Sequence, residues 1–195
     1  MLATNHNNIK MHLRRAGSIA RRYLVTNGFD GALTMLGMMT GFYTSGITEL
    51  PVAISACLGA AIALFMSGVS SAYLSEKAER EKELRDLEQA LVGDLSNSDY
   101  GQASRYLPVL VGLVNGLSPL LFSLLIIAPL FLANHGVNLP LPPFLSAISV
   151  GLGCVFCLGI FIGQISNTFW LWSGLRTLII AVLTVAVILL FGQSS

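Results

Sequence analysis

The stretch PVAISACLGAAIALFMSGVSSAYLSEKAEREKELRDLEQALV, residues 51–92, joins a long apolar run to a strongly charged one with no helix breaker at the junction. The apolar part, 51–74, is long enough to cross a bilayer, because roughly 20 residues rising 1.5 Å each span the hydrocarbon layer. The charged part, 75–92, continues the same helix into water. The stretch therefore predicts one long helix that crosses a membrane and projects from it.

The rest of the chain has the composition of a membrane protein. Of its 195 residues, 54% are hydrophobic and only 11% are charged, and the mean hydropathy is +0.72. Soluble domains carry about a quarter charged residues. Since backbone groups in lipid must be satisfied within each segment, the sequence predicts an all-α integral membrane bundle of five transmembrane helices. The predicted spans are 28–47, 51–74, 106–133, 142–165 and 170–192.

This pattern divides the chain into four parts. Residues 1–27 form a cytoplasmic amphipathic segment, 28–75 hold the first two spans, 76–105 form a short acidic helical insert in the cytoplasm, and 106–192 hold the last three spans. Within the insert, residues 93–104 are rich in turn-forming residues and are predicted to be a connector. In the first part, apolar residues recur at helical spacing opposite a basic face, which favours a helix lying on the membrane surface. These apolar residues are Ile9, Leu13, Ala16, Ala20 and Leu24.

The basic residues set the predicted orientation. All 11 Lys and Arg residues lie before the first span, between the second and third, or near the start of the fifth. The positive-inside rule makes that side cytoplasmic. We therefore expect a multi-pass protein with its N-terminus in the cytoplasm and its C-terminus outside, in the plasma membrane if the source is prokaryotic.

One narrow stripe of the first predicted span carries small and polar residues. At 100° per residue the stripe contains Asp30, Thr34, Gly37, Gly41 and Ser45. Gly37 and Gly41 form a GxxxG element that Ser45 extends by a turn, and small residues at this spacing let two membrane helices approach closely. The stripe is therefore predicted to pack against another helix, either within the chain or in a second copy.

Two interpretations of Asp30 follow from the sequence. Asp is a preferred N-cap, and Asn27-Gly28, separated from it only by Phe29, could interrupt the helix. Alternatively, Asp30 lies within the span, where a carboxylate costs about 2.5–3.5 kcal/mol on insertion scales and is retained for a functional partner.

The charged helix carries carboxylates on one face, which also allows two interpretations. Glu79 and Glu83 are a like-charge i,i+4 pair, and a divalent cation would reverse their repulsion. In the second interpretation the face is exposed to solvent and its charged residues form ion pairs along the helix. The carboxylates are Glu76, Glu79, Glu83 and Asp86, and the expected pairs are Glu76–Arg80, Glu81–Arg85 and Lys82–Asp86.

Polar residues also interrupt the third span. Asn115, Ser118 and Pro119 need partners in lipid, so this helix is expected to face the bundle there and either to line a path or to join helices. Nothing in the chain assembles an enzyme, since it contains no P-loop and no Ser–His–Asp set. No nucleic-acid partner is expected, because the basic N-terminal segment suits a lipid surface better.

Three stretches, in order, resemble the vacuolar iron transporter family. They are FDGALTMLGMMTGF (29–42), SSAYLSEKAERE (70–81) and SGLRTLIIAVLTVAVILLFG (173–192), and they cover most of the membrane portion. The five predicted spans also equal the number in that family. Two features depart from the family pattern: Ser71-Ala72-Tyr73 stands where Gly-Glu-Tyr is common, and the insert is short. The departures suggest a divergent prokaryotic branch.

The resemblance implies proton-coupled export of Fe²⁺, and sometimes Mn²⁺, by a homodimer with no resident cofactor. Asp30 matches the family's intramembrane aspartate, Met66 is the candidate for its second-span methionine, and the insert carboxylates occupy the region where family members collect metal. The expected metal-binding residues are Asp30, Met66, Glu76, Glu79 and Glu83. The expected transport path comprises Asp30, Thr34, Met38, Met66 and Asn115.

Two other classes of function compete with the exporter. A membrane scaffold or assembly subunit would use the GxxxG face and the charged helix for protein contacts. A transporter of an organic substrate is the third class, but such proteins usually carry more spans and internal repeats.

Overall fold

The computed structural model describes residues 2–96 and 98–192, and the side chains of these residues except 2–20, 99 and 192. The described residues are helical apart from short connections, and they contain no strand. The helices are α1 (Leu2–Thr44), α2 (Leu50–Leu91), α3 (Asp99–Asn134), α4 (Pro143–Ile165) and α5 (Trp170–Gly192).

Among the described residues, four helices, α2 to α5, are long and apolar enough to cross a membrane. The prediction of a helical membrane bundle is confirmed in this form. The first predicted span is not among the four, because Asp30 and the Gly and Thr residues around it lower the hydropathy of α1.

The second half of α1 nevertheless runs through the middle of the bundle. One face of it is buried against α3 and α4, through Val25, Ala32, Met35, Leu36, Met39 and Thr40. The Phe42 and Phe144 rings lie 6.3 Å apart, and a Cβ at Gly151 would lie 2.6 Å from the Leu36 side chain. These pairs run in opposite directions along the two helices, so α1 and α4 are antiparallel neighbours.

The same antiparallel register gives the depth of Asp30. A step of one residue towards the C-terminus of α1 corresponds to a step of one residue towards the N-terminus of α4. Asp30 therefore lies at the level of Cys157, and Arg22 lies at the level of Ile165, where α4 ends. At 1.5 Å per residue, Asp30 is then roughly 12 Å inside the end of α4. The helix is continuous across the predicted boundary at 27/28, and the amphipathic pattern of residues 2–20 lies outside the described side chains.

The α2 helix confirms the continuous span and charged extension predicted from residues 51–92. It ends at Leu91, and the C-cap residue Val92 takes a left-handed conformation with φ of 50°. The prediction of a connector over 93–104 is wrong in extent, because α3 begins at Asp99. The Ser98 hydroxyl caps this helix by accepting a 3.1 Å hydrogen bond from the Gly101 backbone N–H, so part of the turn-rich stretch is the first turns of α3.

Glycines bring neighbouring helices into backbone contact at two places that the sequence analysis did not single out. Gly112 and Gly116 of α3 lie against α2, and Gly159 and Gly163 of α4 lie against α5. Both pairs have the GxxxG spacing. Polar residues and Pro119 do not interrupt α3, which is one helix with three internal prolines. Adjacent helices in a bundle can satisfy backbone groups that proline frees.

We expect Gly116→Ala to destabilise the fold by about 1–3 kcal/mol, the usual cost of overpacking. A Cβ at this position would lie 2.6 Å from the Phe65 backbone oxygen and would also meet the Val69 side chain. The measurement is reversible unfolding in mixed micelles. Gly59→Ala on α2 is the matched control, because nothing lies within 4 Å of its Cβ position. Equal stability of the two variants would contradict the packing described here.

Candidate functional site

Asp30 is exposed on the outside of the bundle. The N-cap interpretation is wrong, because α1 begins at Leu2 and continues through Asn27 and Gly28 without a break. Gly28 does not interrupt the helix but allows close packing, since its Cβ position lies 2.8 Å from the Phe122 ring. No ion pair or hydrogen bond of the Asp30 carboxylate is found among the described residues. The structure therefore places an unpartnered carboxylate at the level of the apolar helix α4, roughly 12 Å inside its end.

The stripe that begins at Asp30 makes few contacts with other helices of the chain. Thr34, Gly37 and Gly41 are half-buried, and Ser45 is exposed. A Cβ at Gly37 would touch only Ile188 of α5, at 3.4 Å, and nothing lies within 4 Å of the Gly41 position. This GxxxG element thus differs from the two on α3 and α4, because it leaves an open groove on the surface of the chain.

The two predicted methionines have different surroundings. Met38 packs against the hydrophobic core, whereas Met66 on α2 is 54% exposed. Met66 lies two residues from Gly68, which contacts the backbone of Asn115 and Gly116. Because this part of α3 also contacts α1 at Gly28, Met66 lies within about a turn of the depth of Asp30. No described contact joins the two side chains.

Asn115 connects three helices and is only 6% exposed. Its side-chain nitrogen donates to the Gly68 backbone oxygen of α2 at 2.7 Å, and its side-chain oxygen accepts a hydrogen bond from Asn27 of α1. Asn27 also donates to the Tyr23 backbone oxygen at 3.0 Å. The amide is therefore engaged in joining helices, which was one of its two predicted roles.

The sequence analysis did not predict the hydrogen-bond partners of Asn27 and Ser118, which join α1 to α3 beside Asn115. The Ser118 hydroxyl donates to the Leu24 backbone oxygen at 2.5 Å. An Asn at the start of an apolar run was a usable signal, but its partner lies 88 residues away in the chain.

Two of the three expected metal-binding carboxylates of the insert, Glu76 and Glu83, are bound by a cationic side chain. Arg80 donates to Glu76 at 2.8 Å and to Glu83 at 2.9 Å. The Tyr100 hydroxyl of α3 also donates to Glu83 at 2.9 Å. Burial and this carboxylate raise the pKa of Tyr100. Glu79 remains exposed.

The expected ion pairs are only partly found. The Glu76–Arg80 pair is confirmed. Arg85 instead donates to the backbone oxygen of Glu81, whose carboxylate lies 3.8 Å from Lys77. Within the described part of the chain, no group of three or more His, Cys, Asp or Glu side chains converges as a metal site would require. The five expected metal-binding residues are thus not assembled by one copy of the chain.

The four long apolar helices α2 to α5 define the class of protein: a multi-pass α-helical membrane protein. No family model matches the chain. It is 32% identical over 175 residues to Uncharacterized protein MJ0645 of Methanocaldococcus jannaschii, which covers 88% of this chain and 87% of the archaeal protein. The chain belongs to the same family as this archaeal protein.

A double-mutant cycle on Asn27→Ala and Asn115→Ala should give a coupling energy of about 0.6 kcal/mol, and at most about 1.7, the range found for interhelical hydrogen bonds in membranes. The reason is the direct hydrogen bond between the two amides. Unfolding free energies in mixed micelles provide the measurement. Pairing Asn115→Ala with Asn138→Ala, in the connection between α3 and α4, is the control and should give no coupling.

Proposed function

We propose that the chain is a transporter that exports divalent metal, Fe²⁺ or Mn²⁺, from the cytoplasm in exchange for protons. The observation that supports this function best is the exposed, unpartnered carboxylate of Asp30 in the interior of α1. An isolated carboxylate in lipid costs about 2.5–3.5 kcal/mol, so it needs water, a cation, a proton or a protein partner.

A second copy of the chain is the partner that fits the open stripe. Gly37 and Gly41 leave room for another helix beside α1. Two α1 helices packed through this stripe would bring two Asp30 carboxylates to the same depth. In this homodimer the transport path runs between the subunits, and Thr34 lies one turn further along it.

The chemistry of the path follows from its side chains. Asp30 holds the metal when deprotonated and carries a proton on the return step. Met66, exposed near the same depth, offers a thioether, which favours Fe²⁺ over the harder Mg²⁺ and Ca²⁺. Met38 packs in the core beside the stripe and would have to rotate to reach an ion. Asn115 acts as a positioning residue, since its amide is occupied by Asn27 and Gly68.

The insert would act at the entrance of the path. Glu79 is free to attract cations, whereas Glu76 and Glu83 must first exchange Arg80 for metal. These carboxylates would therefore raise the local metal concentration and would not form a storage site. The arrangement requires α1 to cross the membrane as a fifth span, with the N-terminus in the cytoplasm and the C-terminus outside. The antiparallel contact of α1 with α4 supports the fifth span, and the distribution of basic residues supports the orientation.

Asp30→Asn should lower gradient-driven Fe²⁺ uptake into proteoliposomes by at least about thirtyfold, because loss of one charged partner from a desolvated site costs about 2 kcal/mol or more. Uptake is measured with and without a pH gradient. Asp94→Asn is the matched control: it makes the same charge change in the exposed turn between α2 and α3 and should transport normally. Folded protein that moves neither Fe²⁺ nor Mn²⁺ would refute the transporter, and gradient-driven uptake by Asp30→Asn would remove the carboxylate from the mechanism.

The second candidate is a scaffold that uses the same stripe for protein contacts. The open Gly41 position favours it, because the GxxxG pairs on α3 and α4 are both filled by neighbouring helices. A scaffold predicts that Asp30→Asn has no effect, that Gly37→Leu abolishes function, and that added Mn²⁺ leaves thermal stability unchanged.

Both candidates require helix association through the stripe, which Gly41→Leu should weaken by about tenfold or more by filling the groove. Cross-linking yield in liposomes against protein-to-lipid ratio measures association. Gly59→Leu, another open glycine position on α2, is the control. If Gly41→Leu associates as well as the wild type, the stripe is not an interface.

A further inference from the structure

A cleft between α2 and α3 lies where both helices leave the apolar part of the bundle. It has a volume of about 300 Å³ and lies beside Tyr73 and Lys77 of α2 and Ser104, Arg105 and Pro108 of α3. Glu81 and Leu84 complete its lining. The proposed transport path does not use this cleft, since it lies along the open stripe of α1.

The two basic residues of the cleft come from different helices and converge on it. Lys77 lies over the Tyr73 ring, with its ammonium nitrogen 5.9 Å from the ring centroid. Arg105 has no ion pair or hydrogen bond among the described residues. The neighbouring Ser104 hydroxyl donates its proton to the Gly101 backbone oxygen. This hydroxyl can therefore accept a hydrogen bond from a ligand but cannot donate one. The site therefore has two cationic donors that the fold does not neutralise fully.

The depth of these residues corresponds to lipid headgroups. Tyr73 ends the apolar run of α2, and Tyr106, which is 75% exposed, lies at the same end of α3. Tyr is enriched at the membrane interface. Lys77 follows Tyr73 by four residues, or about 6 Å along the helix. The hydrocarbon core is about 30 Å thick and the whole bilayer about 40–45 Å, so each of the two headgroup layers is about 5–7 Å thick. Lys77 and Arg105 thus reach the level of lipid phosphates.

Glu81 is the one anionic group in the lining, and it opposes a phosphate. Its carboxylate lies 3.8 Å from the Lys77 ammonium, and both side chains are about half exposed, at 57% and 49%. An exposed ion pair of this kind is weak and exchanges readily. A phosphate at the cleft would compete with Glu81 for Lys77 and would meet no competitor at Arg105.

We propose that this cleft binds the headgroup of one anionic phospholipid of the cytoplasmic leaflet, with Lys77 and Arg105 on the phosphate and Tyr73 at the level of the acyl-chain boundary. Basic pockets between membrane helices on the cytoplasmic side suit such headgroups, and each Lys or Arg near an anionic surface contributes about a fivefold gain in affinity. The inference does not depend on whether the chain carries metal.

The test is native mass spectrometry of the full chain in neutral detergent, titrated with dioleoylphosphatidylglycerol or dioleoylphosphatidylcholine. We expect one molecule of phosphatidylglycerol to bind the wild type, and Lys77→Gln/Arg105→Gln to bind it about twenty-five-fold more weakly, which is the product of two fivefold losses. Lys82→Gln/Arg85→Gln makes the same charge change on the same hairpin outside the cleft and should bind as the wild type does. Glu81→Gln should bind about fivefold more tightly.

Any one of four results would overturn the proposal. Equal weakening by the control pair would mean diffuse attraction to the basic hairpin. Equal binding of phosphatidylcholine would mean that the anionic headgroup is not recognised. Displacement of the lipid by 10 mM inorganic phosphate would assign the cleft to a free anion. The charge-conserving pair Lys77→Arg/Arg105→Lys must retain binding, and its failure would also contradict the role given to these charges.

Discussion

Close backbone contact between α2 and α3 is the constraint on which the rest of the structure depends. Lipid supplies little hydrophobic force between helices, so association relies on tight packing and on interhelical hydrogen bonds. One turn of α3 provides both, because Gly112 and Gly116 lie against α2 while Asn115 between them donates to the Gly68 backbone oxygen. The same amide accepts a hydrogen bond from Asn27, and this joint therefore also positions α1 in the bundle.

Both proposed functions depend on the difference between the two faces of α1. One face is buried along its length from Val25 to Thr40, and the other, from Asp30 to Ser45, remains open. If α1 crosses the membrane as proposed, lipid would penalise a charge on this open face, and the carboxylate would need a partner. The proposed transporter and the proposed scaffold differ in whether that carboxylate or only the groove beside it is used.

The insert shows why charge spacing on a single helix is a poor guide to a metal site. Glu76 and Glu83 lie on one face, as expected, but Arg80 lies between them and binds both. A metal site needs ligands that converge from several directions, which one helix face rarely provides. In the cleft that contains Lys77 and Arg105, side chains do converge from different directions, because they come from two antiparallel helices. The two basic residues there suit an anion and not a metal ion.

Local patterns in the sequence were enough to predict the helical membrane class, the continuity of α2 from membrane to water, and the ends of α4 and α5 within a residue, because hydropathy and helix periodicity are properties of neighbouring residues. They also placed Asp30 with Gly37 and Gly41 on one stripe. Only the tertiary structure decided that this stripe is open while two other GxxxG pairs are filled, that Asn27 meets Asn115, and that Arg80 joins two of the predicted metal ligands. The physical reason is that one periodic pattern is compatible with several neighbours, and which neighbour a face meets depends on contacts between residues far apart in the chain.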